Sequence, residues 1–306
     1  MSDPASSGAA SPPHGVAETL APRLRRVLAP NPSTMTHQGT NTYLLGERQV
    51  AIIDPGPDDP AHLEAILSAV PKGGEISHIL VTHAHLDHTG LVPRLKARTG
   101  APVHAFGDAS AGRSAIMQDL AARSDVGGGE GQDRAFAPDH LLADGDVLEG
   151  TDWQLTAHHT PGHTGNHLAF EWEEALFVGD LVMGWASSLV SPPDGDLTDF
   201  MTSLERLGRR DWQHFHSGHG PVIEAPNARL AELRDHRLGR EAQIRAALSK
   251  QSGTARALAE RIYTDIPPAL LPAASRNVLA HLIDLYSKSE VRPLGPLSAD
   301  AIFELS

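Results

Sequence analysis

Thr82-His83-Ala84-His85-Leu86-Asp87-His88-Thr89-Gly90 brings three histidines and an aspartate into six consecutive positions, 83–88. Residues 76–82 ahead of it are mostly apolar and rich in β-branched side chains, which predicts a buried strand. Residues 91–99 behind it have the spacing of a helix, so the cluster lies where a strand turns into a helix. His83 and His85, two apart in extended chain, point the same way, and Asp87 and His88 can present a second set of donors from the turn. Imidazole nitrogen and carboxylate oxygen are donors that zinc accepts, at roughly 2.0–2.2 Å. Packed together without a cation, these groups would crowd dipoles and charges at considerable cost. A solvated histidine-rich loop is the competing reading, and the strand before and helix after argue against it.

The same design recurs three times downstream. Residues 153–158 read as a strand that runs into Thr160-Pro161-Gly162-His163-Thr164, residues 175–178 as one that runs into Gly179-Asp180, and a last strand near His216 runs into Ser217-Gly218-His219-Gly220. Glycine beside each polar residue suits a crowded site where backbone approaches closely. Upstream, residues 42–45 and 50–53 read as a hairpin ending in the breaker cluster Asp54-Pro55-Gly56-Pro57. Residues 62–70 and 197–207 read as helices, and 101–105 and 167–172 as further strands. Gly127, Gly128, Gly129 and Gly131 lack the Lys-Ser/Thr of a phosphate cradle and read as a flexible insertion. From residue 229 the chain turns helical, over 230–249, 254–263 and 273–288, and a tail follows that can add a strand or wing.

Taken together, His83-x-His85-x-Asp87-His88, His163, Asp180 and His219 resemble the five-motif pattern of the metallo-β-lactamase-fold hydrolase superfamily, over roughly residues 38–225. The resemblance implies an α/β fold, an αββα sandwich of two facing sheets with helices outside, and a metal site at one edge. It implies that His83, His85 and His163 bind one metal, that Asp87, His88 and His219 bind a second, and that Asp180 bridges them. Asp54 would support the site from behind. Zinc is the expected metal, two per chain, with iron or manganese as alternatives. The implied chemistry is a binuclear metal-dependent hydrolase in which a metal-bridging hydroxide attacks an ester, thioester, lactone or phosphodiester, with Asp87 and Asp180 as catalytic carboxylates. Gly39-Thr40-Asn41-Thr42-Tyr43-Leu44, Ser191-Pro192-Pro193-Asp194-Gly195-Asp196 and the helical C-terminus resemble the β-lactamase-like-2 branch. That branch carries a winged-helix-like C-terminal domain, and its eukaryotic members are single-strand endoribonucleases. The expected organisation is a disordered tail over 1–20, a metal-binding catalytic domain over 21–225 and a small helical winged-helix-like domain over 226–306.

The 306 residues include no cysteine, so disulfides, thiolate metal sites and a catalytic cysteine are excluded. True metallo-β-lactamases of the resembling superfamily use a cysteine, or no acidic bridge, where Asp180 stands. The pattern therefore looks closer to thioesterase, lactonase and ribonuclease relatives. The expected partner is a small-molecule ester, thioester or lactone, or single-stranded RNA.

The net charge of −13 is uneven: residues 226–306 hold 11 Lys+Arg against 9 Asp+Glu, and the remainder 14 against 29. An acidic main domain is a poor partner for a polyanion, although bound cations offset this locally. Arg234, Arg237, Arg240 and Arg245 offer a phosphate-binding strip on the first C-terminal helix, with a merely solvated basic face as the alternative. No run of about 18 apolar residues occurs, and residues 1–15 lack the basic start and apolar stretch of a secretion signal. A cytoplasmic protein with no membrane span is expected, with its self-association left open. An iron-dependent oxidoreductase on the same fold and a non-catalytic binding module are the rival readings, and two complete ligand sets favour the hydrolase. His37 is placed at the site mouth or on the surface, one of His158, His159 and His167 behind His163, and His214 and His216 in packing.

Overall fold

The computed structural model describes residues 13–123 and 125–306. Strands β1 (Ala17–Ala21) and β2 (Leu24–Leu28) lead into a hairpin of β3 (Asn41–Leu45) and β4 (Gln49–Ile53). Helix α1 (Pro60–Ala69), capped by the Asp59 carboxylate accepting from His62 N, crosses to β5 (Glu75–Leu80), parallel to β4. Then come α2 (Leu86–Thr89), α3 (Val92–Thr99), β6 (Val103–Ala105), α4 (Ala115–Arg123) and β7 (His140–Leu141). The first sheet has these strands in the order β1 to β7. An antiparallel run of β8 (Val147–Glu149), β9 (Gln154–His159), β10 (Leu168–Trp172) and β11 (Ala175–Gly179) begins the second. Helix α5 (Leu197–Leu207) crosses to β12 (His214–Ser217), parallel to β11, giving the order β12-β11-β10-β9-β8.

Alternation along the strands sorts side chains between two apolar layers. Tyr43, Leu45, Ala51 and Ile53 meet Leu155, Leu168, Phe170 and Phe177 between the sheets. Leu44, Val50 and Ile52 point the other way, onto Leu63 and Ile66 of α1 and Leu95 of α3. On the far side of the second sheet, Leu176, Val178 and Phe215 lie under Phe200 and Leu204 of α5. The result is the αββα sandwich.

The C-terminal part comprises α6 (Pro226–Leu248), α7 (Ala255–Ile262), α8 (Leu271–Ser287) and the antiparallel pair β13 (Val291–Pro293) and β14 (Phe303–Leu305). This is a small winged-helix-like unit with its own apolar cluster around Leu258, Val278, Leu282 and Phe303. Helix α6 serves both parts: Leu230 and Leu233 pack on the second sheet's layer, Ile244 and Leu248 on the C-terminal cluster. No helix of the described residues is long and apolar enough to cross a membrane.

Several expectations need correction. The first sheet begins inside the stretch read as a tail, because the β1 backbone pairs with β2 although Ala17, Glu18 and Thr19 are exposed. Residues 1–12 of that expected tail lie outside the described residues. The glycine-rich stretch is not a loose insertion: Gly129 N donates to the Asp194 carboxylate at 2.6 Å and Leu86 N to Gly131 O at 2.8 Å. Nor do the α6 arginines form an outer strip. Arg237 is 2% exposed, Arg245 is paired with Glu241 and Glu290, Arg234 with Asp235, and Arg240 lies over the Tyr263 ring.

Candidate metal centre

Strands β4, β5, β9, β11 and β12 all end at the same edge of the sandwich, and the next few residues of each carry the polar groups. Cross-links between the two sheets hold this edge together, Leu168 N donating to Thr82 O and Asn41 N to Gly218 O, and within the second sheet Gly218 N donates to Gly179 O, each at 2.8 Å. Past β5, Thr82 N leaves the strand ladder and donates to Asp54 Oδ1, which is why the strand stops earlier than its apolar run. His85 is still extended, and the chain then turns into α2, which carries Asp87 in its first turn and His88 after it.

All seven expected ligands meet here, in two adjoining groups: His83, His85, His163 and Asp180, and Asp87, His88 and His219. In the first, His85 Nδ1 lies 2.9 Å from His83 Nε2 and 3.1 Å from His163 Nε2. In the second, His219 Nε2 lies 3.2 Å from Asp87 Oδ2, and His88 Nε2 lies 3.7 Å from the same oxygen. Asp180 touches both groups, with Oδ2 3.8 Å from His163 Nε2 and 3.4 Å from His219 Nε2, and Oδ1 3.5 Å from His88 Nε2.

Outer hydrogen bonds assign the tautomers. His163 Nδ1 donates to Leu189 O at 2.7 Å, His219 Nδ1 to Gly39 O at 3.1 Å, and His88 Nδ1 to Asp54 Oδ2 at 2.8 Å. Thr82 Oγ1 spends its proton on Asp54 Oδ2 at 2.7 Å, so at 3.0 Å it accepts from His83 Nδ1. Each of these rings, when neutral, aims a bare Nε2 inward, and His85 aims Nδ1. Five lone pairs and two carboxylates thus converge with no donor among them, and His88 Nε2 and Asp180 Oδ1 are buried without a hydrogen-bond partner. This donor set fits a pair of cations.

The electrostatics agree. Burial and neighbouring imidazoles hold His83 well below the usual histidine range and push His85 down to about 3. In the other group burial is outweighed by carboxylates: Asp180 beside it lifts His219 to about 9, and Asp87, Asp54 and Asp180 lift His88. Against burial, His219 and His88 hold Asp180 well below the carboxylate range. This second group draws positive charge to itself. Crowding explains the glycines: a Cβ on Gly218 would fall 2.4 Å from Asp180 Oδ1, and Gly179, at φ +45°, would place one 2.7 Å from His167 Nε2.

Asp54 lies behind the site as expected. His167 stacks on His83 at 5.4 Å and is bonded to Thr160 Oγ1, whereas His158 pairs with Glu171 and His159 stacks on Phe106. His216 packs between Tyr43 and Phe177, and His214 pairs with Glu224. His37 packs on Trp185, 4.9 Å away. One neighbour escaped the sequence reading. Gln132 Nε2 lies 3.1 Å from His85 Nε2, while Gln132 Oε1 is buried with no partner. Since His85 turns Nδ1 inward, its proton sits on Nε2, and the partner that this N–H calls for is the amide oxygen of Gln132. A lone glutamine in a glycine-rich stretch carries no motif that would have singled it out.

Comparison with known proteins agrees with this geometry. The family model described as Metallo-beta-lactamase superfamily matches residues 35–219, and that of the beta-lactamase associated winged helix domain matches 254–294. The chain is 36% identical over 257 residues to an atrochrysone carboxyl ACP thioesterase of Aspergillus chevalieri, spanning 82% of this chain and 74% of that one. It is 33% identical to a beta-lactamase-like protein 2 homolog of Drosophila melanogaster, over 87% and 89% of the two chains. The crystal structure of a beta-lactamase domain protein from Burkholderia ambifaria superposes with a TM-score of 0.79 at 22% identity, over 98% of this chain and 96% of that one, and shares its fold. The histidine and aspartate edge, the sandwich that carries it and the small helical unit behind it all lead to one conclusion: this chain belongs to the metallo-beta-lactamase superfamily.

Proposed function

We propose that the protein is a binuclear metal-dependent hydrolase, with zinc as its metal, acting on small carboxylic esters and thioesters. The observation that carries this reading is the convergence of five imidazole nitrogens and two carboxylates in two adjoining groups at one edge of the sandwich. His83, His85 and His163 would hold one cation, Asp87, His88 and His219 the other, with Asp180 shared. When bound, such a pair supplies Lewis-acid activation of a carbonyl group and of water.

The chain's own groups do the rest. Asp54, Thr82, Leu189 and Gly39 lock four of the imidazoles in one tautomer, so little reorganisation is needed during reaction. His83, His88 and His219 are at most 1% exposed, whereas the Asp87 side chain is 28% exposed. Substrate and water therefore approach past Asp87, whose carboxylate is placed to take a proton from an attacking water or pass one to the leaving group. Asp180 is enclosed and acts through its charge.

The thioesterase name of the Aspergillus relative supports a thioester carbonyl as substrate. A β-lactamase-like-2 protein with single-strand endoribonuclease activity is the second reading, favoured by the Drosophila relative's nearly full-length match. Of the α6 arginines, Arg237 is buried, Arg234 and Arg245 are paired with carboxylates and Arg240 lies over the Tyr263 ring, so they do not form the free basic strip that reading needs. An oxidoreductase with a single iron would leave the Asp87, His88 and His219 group without a use. A panel of an aryl ester, an acyl thioester, a lactone and single-stranded RNA, each with and without chelator, tests the proposal. Ester and thioester cleavage should stop with chelator and return with zinc. Cleavage of RNA alone, or turnover indifferent to chelator, would overturn it.

Gln132 bears on the same reading. Gln132→Ala should weaken metal binding by about 10–100-fold in chelator competition, the usual effect of losing a ligand's outer partner, with Gln132→Glu close to wild type. Unchanged affinity in Gln132→Ala would make the contact incidental.

A further inference from the structure

Helix α8 reaches back from the C-terminal unit to two stretches of the sandwich that lie outside its strands and helices, 125–132 and 188–193. The Arg276 side chain, 16% exposed, donates from Nε to Ser191 Oγ at 2.8 Å and from its two terminal nitrogens to Val126 O and Pro192 O. Beside it, Asn277 Oδ1 accepts from Val190 N at 3.1 Å and from Arg237 Nη1 at 3.0 Å, and Arg237 Nη2 donates to Ser188 O. Ser188, Val190, Ser191 and Pro192 are thus all tied to α6 or α8. The carbonyl of Leu189, in their midst, accepts from His163 Nδ1 at 2.7 Å.

The other stretch is anchored in the same way. Val126 is buried in the apolar cluster of the C-terminal unit, and Ala299 N donates to Asp125 O at 3.2 Å. Further along, Gln132 lies 3.1 Å from His85, while Leu86 N donates to Gly131 O and Asp133 N to Ala84 O, each at 2.8 Å. The two stretches also pack on each other: a Cβ on Gly128 would fall 2.5 Å from Pro193 Cδ. Arg276 therefore holds the supports of both His85 and His163, two of the three imidazoles in one ligand group. The other group is supported elsewhere, His219 by Gly39 ahead of β3 and His88 by Asp54 after β4.

We propose that Arg276 and Asn277 are positioning residues of the metal centre, through which the C-terminal unit sets the affinity of the cation held by His83, His85 and His163. The proposal rests on the two-metal reading above. A planar guanidinium presents its donors in a fixed fork, so it holds three acceptors in one arrangement where a flexible ammonium does not. Its base is fixed as well, because Val278 and Leu282 of α8 lie in the apolar cluster of the C-terminal unit. Backbone released from such ties regains conformational freedom, and a metal ligand without its outer partner binds about 10–100-fold more weakly.

Chelator competition on the zinc-loaded full chain, with anomalous diffraction at the zinc edge to read the occupancy of each group, tests this. Arg276→Met and Asn277→Ala should each weaken one zinc ion on the order of tenfold. The occupancy lost should be that of the His83, His85 and His163 group, while the Asp87, His88 and His219 group keeps its ion. Asn277→Asp, which retains the acceptor, should restore the affinity, and Arg276→Lys should fall between wild type and methionine. Circular dichroism melts report whether each variant folds, and Asn277→Ala, the smaller change, carries the test where Arg276→Met does not. Unchanged affinity in both variants overturns the proposal. So does equal loss from the two groups, which is what a general loosening of the fold would give. A wild type that holds zinc at neither group overturns the two-metal reading itself, and this proposal with it.

Discussion

Asp180→Ala is expected to lose hydrolytic activity by at least about 100-fold in kcat/KM and to lose bound metal with it. Removing an outer partner of a metal ligand costs about 10–100-fold, and Asp180 is closer in than any such partner. Its two oxygens face His88, His163 and His219 from 3.4 to 3.8 Å, so its charge reaches both groups. Without it, the two cations would repel each other with only Asp87 left as a charged ligand. Asp180→Asn keeps shape and one oxygen but not the charge. It should resemble Asp180→Ala, which separates the electrostatic role from packing. Steady-state kinetics beside the metal content of each variant reads both effects. Activity within a few-fold of wild type in Asp180→Ala would remove the shared carboxylate from the account.

Asp54→Ala is expected to cost about 3–5 kcal/mol of stability, the range for breaking a buried charged pair. Asp54 is 2% exposed and accepts from Thr82 N, Thr82 Oγ1 and His88 Nδ1 at 2.7 to 2.8 Å. Alanine leaves three buried donors unsatisfied. It also occupies a left-handed position, φ 52°, that Asp and Asn tolerate better than alanine does. Asp54→Asn keeps the backbone preference and one acceptor, so it should fall between wild type and alanine. Urea unfolding of the chelated protein measures the loss apart from any metal effect. A loss below about 1 kcal/mol, the worth of an ordinary hydrogen bond, would mean that Asp54 does not hold the edge of the sandwich together.

The site was legible because its chemistry is written locally. His83 to His88 sit in one turn, and His163, Asp180 and His219 each follow a strand whose apolar pattern marks its end. What the sequence concealed depends on tertiary contacts. Helix α4 goes unnoticed because Met117 and Leu120 are buried against the C-terminal cluster, a partner that no local spacing reveals. Arg237 shares a helix face with Arg234 by periodicity, yet α5 and α8 close over it. Gln132 gains its meaning only through the bridge that seats it beside His85.

Elemental analysis of the protein purified without chelator addresses the central claim most directly. The account predicts about two transition-metal ions per chain, the complement of a two-metal hydrolase site, falling in Asp180→Ala. A chain that carries no such ion, and takes up none when zinc is added, would contradict it.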